Sequence, residues 1–223
     1  LMQLNENHSV KKMVIASSRS IYGEGKYNCE NQGIVYPNER NESNMLNGKF
    51  DPFCDVCGSE LKLLPTDENS KIHPSSIYGI TKQQQEQMVL LAGESLGIPS
   101  VAFRYQNVYG PGQSLSNPYT GILSIFSTRM LNGNDIDIYE DGLESRDFVF
   151  IDDVVDATIL SLEKEEANHQ IFNVGSGVAT TVNEVANSLK SLYNSDVKIT
   201  IRIAFKIIKS KLPVTFRHKE KCH

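Results

Sequence analysis

The chain has 223 residues, 39% of them hydrophobic and 22% charged, with no tryptophan and a formal net charge of −5. That balance fits a globular protein long enough to bury a full core, as one large domain or two small ones. Mild acidity argues against a nucleic-acid partner. No apolar run approaches the ~18 residues that would span a bilayer, and no signal-peptide pattern opens the chain, so no membrane partner is expected.

In chain order, residues 14–18 (Val-Ile-Ala-Ser-Ser) read as a buried strand, and Arg19-Ser20-Ile21-Tyr22-Gly23 as a hydroxyl-rich loop after it. Parallel α/β sheets expose reactive side chains at such strand ends. Residues 27–73 form a long polar insertion, and a helix then begins near Tyr78 and ends near Gly97, where Gly97 and Pro99 punctuate the chain. Tyr78 and Lys82, four apart at the start of that helix, share one face. An ammonium held beside a phenol favours the phenolate, so the pair supplies a base usable near neutrality.

A strand over 100–105 follows, and then a helix over 120–131 with Ile122, Ile125, Phe126 and Met130 on its apolar side and Gly133 as its stop. Asp152 or Asp153 is expected to cap a third helix that reaches about Lys164. After a strand over 171–174, Thr181 and Glu184 form a capping-box signature. The helix they open continues with Val182, Val185, Leu189 and Leu192 at helical spacing. Strands separated by helices imply an α/β fold with a parallel sheet. Gly175-Ser176-Gly177 looks like a phosphate loop between strand and helix, but it lacks a third glycine.

The insertion carries Cys29, Cys54 and Cys57, the last two as Cys-Asp-Val-Cys-Gly. Two thiols at that spacing can grip one tetrahedral metal, so the three cysteines are candidate zinc ligands, with His73 as a conceivable fourth. The alternative is a loop of free thiols. Disulfides are disfavoured in a reducing compartment.

The serine strand and the Tyr78-Gly79-Ile80-Thr81-Lys82 block are followed by four more blocks in the same order. These are Phe103-Arg104-Tyr105-Gln106-Asn107-Val108-Tyr109-Gly110-Pro111-Gly112, Ser145-Arg146-Asp147-Phe148-Val149, Ile151-Asp152-Asp153-Val154 and Phe172-Asn173-Val174-Gly175-Ser176-Gly177. Together they resemble the extended short-chain dehydrogenase/reductases, in particular the NAD-dependent epimerases and dehydratases of nucleotide sugars, up to about residue 190. The cysteine-bearing insertion, with Val35-Tyr36-Pro37, narrows the resemblance to 4-epimerases of dTDP-L-rhamnose-like sugars.

The resemblance implies a partial Rossmann-like parallel sheet with helices on both faces, plus a small C-terminal substrate-binding region. Residues 1–110 would be the C-terminal half of the NAD-binding domain, 111–196 the substrate-binding region and 197–223 a divergent basic tail able to pair as an edge strand. Family members open with a βαβ unit and a glycine-rich pyrophosphate turn, whereas residues 1–8 here read as the end of the helix before the serine strand. The expectation is therefore an N-terminally truncated chain.

By the same resemblance, Tyr78 is the acid/base at the sugar C4 hydroxyl, Lys82 holds the nicotinamide ribose, and Ser18 bonds the sugar oxygen, the reaction passing through a 4-keto sugar. Ala16, Ser17 and Tyr105 border NAD, while Asn107 and Arg146 reach the substrate diphosphate. Outside the family, the commonest role for such an arginine is a surface pair with Asp147. Asp153 is read as a cap, and Ser20, Tyr22 and Tyr109 as packing. A homodimer in the cytoplasm is the implied setting. A dehydratase, an inactive fragment and a zinc-dependent interaction module are the other readings.

Overall fold

The computed structural model describes residues 9–114 and 121–202. Strand β1 (Met13–Ser18) ends on a residue that caps a 3₁₀ turn at Arg19–Tyr22. The insertion is a small antiparallel sheet: β2 (Lys26–Cys29) lies between β3 (Gly33–Val35) and β4 (Lys62–Leu64), with α1 (Glu42–Leu46) in the connection. Helix α2 (Ile77–Leu96) starts where the Ser76 hydroxyl accepts the Gly79 amide and ends at left-handed Gly97. Strands β5 (Ser100–Tyr105) and β6 (Asn107–Tyr109) follow, then α3 (Ile122–Leu131) and β7 (Ile136–Tyr139). Strand β8 (Ser145–Phe150) runs directly into α4 (Ile151–Glu163). The chain continues through β9 (Ile171–Val174), β10 (Ala179–Thr181), α5 (Val182–Leu192) and β11 (Ile199–Arg202).

The central sheet has the order β1-β5-β9 and is parallel throughout. Successive side chains of β5 leave on opposite faces. Arg104 reaches Glu86 of α2, while Phe103 joins a buried cluster with Val149, Val154 and Val174 beside α4. Helices thus cover both faces, as expected of a Rossmann-like sheet. A second core gathers Phe126, Met130, Ile136, Ile138, Val185, Leu189 and Val197 from α3, β7, α5 and the chain leading to β11. Each large side chain there contributes about 1.5–3 kcal/mol by leaving water. Strand β8 connects the two regions, pairing in parallel with β6 and antiparallel with β10.

Three local expectations change. Helix α4 has Phe150 at its N-cap position and no side-chain cap. Because β8 leads into it without a loop, Asp152 and Asp153 fall inside the first turn, where their charge complements the helix N-terminus. In α3 the buried stripe is Phe126 and Met130, and Ile125, one position off that i, i+4 line, is 41% exposed. Leu192, in the last turn of α5, is 76% exposed.

Strand β11 pairs in parallel with β7, and Arg202 bonds Asp137 at 2.6 Å, so the start of the basic tail takes an edge-strand place. The expected helix end at 1–8, Thr120 at the start of the expected second helix, and residues 203–223 lie outside the described residues. No helix among the described residues is long and apolar enough to cross a membrane.

Candidate active site

Ser18 stands at the carboxyl end of β1, where its Oγ accepts the Ser20 amide at 3.2 Å and the Ser20 hydroxyl at 2.9 Å. With both lone pairs engaged, the hydroxyl keeps its own proton to donate. Lys82 Nζ donates to the carbonyl of Ala16 at 2.9 Å and lies 5.9 Å from the centre of the Tyr78 ring. Tyr78 is 56% exposed. Phenol, ammonium and the Ala16 carbonyl therefore meet beside the serine strand, as the i, i+4 spacing requires.

Gly79 permits this approach. A Cβ there would lie 2.6 Å from the Ser20 carbonyl oxygen and 2.9 Å from Pro74 Cβ. Only a residue without a side chain lets the first turn of α2 rest on the serine loop.

Beneath the site is a buried network that includes Tyr22, which the sequence reading left to packing. Arg104 Nη2 donates to Glu86 Oε1 at 2.7 Å, and Nε donates to both Glu86 oxygens at 3.2 Å. Arg104 Nη1 donates to the Tyr22 hydroxyl at 2.6 Å and to the Glu68 carbonyl at 2.9 Å. The Tyr22 hydroxyl in turn donates to Asn173 Oδ1 at 2.9 Å. Burial, chiefly, pushes the Tyr22 phenol up, against the pull of Arg104. One guanidinium thus ties α2, the serine loop, the end of the insertion and β9 together. An arginine inside a strand-like run was the available signal, because such a cation must find an anion when buried.

Ser17 is buried opposite Arg104 in register, with no hydrogen-bond partner for its Oγ. Tyr105 turns toward α4, its hydroxyl 3.0 Å from Thr158 Oγ1. Asn107 Nδ2 donates to the Asp147 carbonyl at 3.1 Å. Arg146 pairs with Glu144 rather than with Asp147.

The carboxylate of Asp147 instead fills the Gly175-Ser176-Gly177 turn. It accepts the Ser176 amide and hydroxyl at 2.8 Å and the Gly177 amide at 2.9 Å. The donors that made this turn resemble a phosphate loop are already engaged by an internal anion.

Arg19 directly follows Ser18 in the serine loop. Burial, first, and then the charge of Arg146 bring its pKa down to about 10, against the opposing pull of Glu144 and Glu24. The Glu144 carboxylate that pairs with Arg146 also draws on Arg19.

The sulfurs of Cys29, Cys54 and Cys57 lie within 4.8 Å of one another. His73 does not join them. Its Nδ1 is 3.2 Å from the Lys71 carbonyl, its Nε2 is buried without a partner, and its ring stands edge-on to Tyr36. The backbone holds it away, since the His73 amide donates to the Ile21 carbonyl at 3.0 Å.

Ser18, Tyr78 and Lys82 thus gather at the carboxyl end of a parallel strand in an α/β fold. Residues 54–175 match the NAD dependent epimerase/dehydratase family, and the chain belongs to it. It is 36% identical over 188 residues to a dTDP-L-rhamnose 4-epimerase of Burkholderia thailandensis, covering 84% of this chain and 50% of that protein. The UDP-glucose 4-epimerase of Thermotoga maritima, solved with UDP-glucose, superposes with a TM-score of 0.69 at 30% identity, covering 90% of this chain and 53% of the other. The UDP-N-acetylglucosamine 4-epimerase of Methanobrevibacter ruminantium, solved with UDP-N-acetylmuramic acid, gives a TM-score of 0.68 at 27% identity, covering 90% and 52%. The chain spans about half the length of each of these three relatives.

Proposed function

We propose that this chain carries the proton-handling and sugar-side residues of a nucleotide-sugar 4-epimerase acting on dTDP-L-rhamnose or a close analogue. The observation that carries the reading is the Lys82 ammonium fixed on the Ala16 carbonyl and set against Tyr78, on the helix that follows the capping hydroxyl of Ser18.

Ala16, Ser18, Tyr78 and Lys82 offer a carbonyl, two hydroxyls and a cation at one strand end, a donor set that fits the nicotinamide ribose of NAD. Ser17 and Tyr105 are assigned to the border of the same cofactor. When bound, NAD would supply the acceptor and donor of hydride at the sugar carbon. Tyr78 takes the proton of the C4 hydroxyl and later returns it. Lys82 stabilises the phenolate through its charge, and Ser18 orients the sugar oxygen by donating to it.

Arg146 and Asn107 bind the sugar-nucleotide diphosphate, with Arg19 as a second cation. In this reading residues 1–110 form the cofactor side, 111–196 the sugar side and 197–223 a tail, and the working enzyme is a cytoplasmic homodimer. The similarity to the Burkholderia protein supports the choice of sugar.

The test is to supply dTDP-L-rhamnose, and separately dTDP-glucose, with NAD. The protein is used alone and fused to the part of the Burkholderia relative that it does not cover. A new C4 epimer seen by NMR supports the reading, whereas a keto sugar formed from dTDP-glucose with loss of water would make the protein a dehydratase.

A further inference from the structure

The small sheet formed by β2, β3 and β4 has strands of three or four residues and leaves Ile34 and Leu63 exposed, as is Val56 in the loop before β4. Elements this short do not hold together by burial alone. The residues that meet at the end of this sheet are thiols. Cys29 closes β2 and is 1% exposed, and Cys54 is 3% exposed.

Cys54 and Cys57 sit in a tight loop held by the Phe53–Glu60 antiparallel bridge. Within it, the Cys54 amide donates to the Ser59 carbonyl at 2.9 Å and the Gly58 amide to the Cys54 carbonyl at 2.8 Å. Gly58 takes the left-handed conformation, φ 72°, that turns the loop back. This geometry aims both sulfurs toward Cys29.

The Cys29 and Cys57 sulfurs are 3.5 Å apart, and all three lie within 4.8 Å of one another. A tetrahedral zinc with Zn–S bonds of ~2.3 Å needs sulfurs ~3.8 Å apart, so the three already surround a point that a zinc ion would occupy. The Ser59 hydroxyl is 3.3 Å from Cys29 Sγ and 3.1 Å from Cys57 Sγ, on hand for the fourth position alongside solvent at exposed Cys57. All three cysteines are free thiols.

We infer that Cys29, Cys54 and Cys57 bind one zinc ion, with an oxygen from Ser59 or water as fourth ligand, and that this ion clips β2 to the loop preceding β4. Soft thiolates in a tetrahedral arrangement select zinc over harder cations. Binding releases the thiol protons and closes the insertion without redox change.

The test uses the full chain purified under reducing conditions from zinc-supplemented cells, with metal content measured by plasma emission and the metal then exchanged for cobalt. The expected result is about one zinc per chain and, with cobalt, the intense visible bands of a tetrahedral thiolate site. Cys57→Ser, at an exposed position that leaves folding intact by circular dichroism, loses the zinc and those bands. Cys222→Ser keeps both. No bound zinc in the wild type, zinc retained by Cys57→Ser, zinc lost from Cys222→Ser, or a Cys29–Cys57 disulfide in protein purified with reductant would each overturn the inference.

Discussion

Replacing Glu86 by glutamine keeps the side-chain volume but leaves the Arg104 cation buried without its counter-charge. The two side chains are 4% and 2% exposed, and three short contacts join them. Removing one member of such a pair costs about 3–5 kcal/mol. Arg104 keeps its bonds to the Tyr22 hydroxyl and the Glu68 carbonyl, and glutamine retains one acceptor, which puts Glu86→Gln near the lower end, about 3 kcal/mol. For a protein of this size that lowers Tm by about 6–12 °C.

Scanning calorimetry reads the shift directly, and Glu86→Leu, Arg104→Met and their combination make a separate double-mutant cycle. Because the double variant leaves no unpaired charge, its loss is expected to be smaller than the sum of the two single losses. Glu86 lies one turn beyond Lys82 on α2, so the single variant is also expected to lower kcat by loosening the helix that carries Tyr78. A Tm loss under about 2 °C, or strict additivity in the cycle, would refute the view that this ion pair fixes α2 to the sheet.

Gly79→Ala is expected to cost about 1–3 kcal/mol in a denaturant melt and to reduce kcat more than KM, because the new methyl meets the Ser20 carbonyl; an unchanged melt would show that the first turn of α2 is free to shift. Glu24 has its pKa raised, first by burial and against the pull of Arg40, so its contribution to stability is complete below the ordinary carboxylate range and is lost as pH rises through the elevated folded value. Glu24→Gln should therefore stabilise the protein more at pH ~7 than at pH ~4, and thermal melts with the larger gain in acid would contradict this. Arg146→Lys, which gives up paired donors, should raise KM for the sugar nucleotide by about tenfold with little change in kcat; an unchanged KM would remove Arg146 from the diphosphate site.

Local chemistry was readable from the chain, and long-range pairing was not. Strands 100–105 and 171–174 and the Thr181–Glu184 capping box are signalled by neighbours in sequence, and the structure has them at those positions. The Tyr78–Lys82 pairing follows from helical spacing alone. The union of Arg104 with Glu86, Tyr22 and Asn173 depends on which strand lies beside which helix, and no local pattern specifies that. The same holds for Asp147, whose carboxylate reaches a turn about thirty residues away and changes a phosphate-loop look-alike into a closed structural turn. Asp152 and Asp153 are not caps because β8 passes into α4 with no intervening loop, and the grouping of Cys29 with Cys54 and Cys57, expected from the sequence, is brought about by a small sheet that the sequence showed only as a long polar insertion.

The most direct test of the central claim is the rate at which the C4 epimers of dTDP-L-rhamnose interconvert, followed by proton NMR. Wild type and Tyr78→Phe would be compared in the fused, NAD-supplied protein. Loss of the phenolic hydroxyl should slow interconversion by about 10²–10⁴-fold at saturating NAD while leaving the fold unchanged. Interconversion at the wild-type rate in Tyr78→Phe would contradict the assignment of the proton relay to this helix.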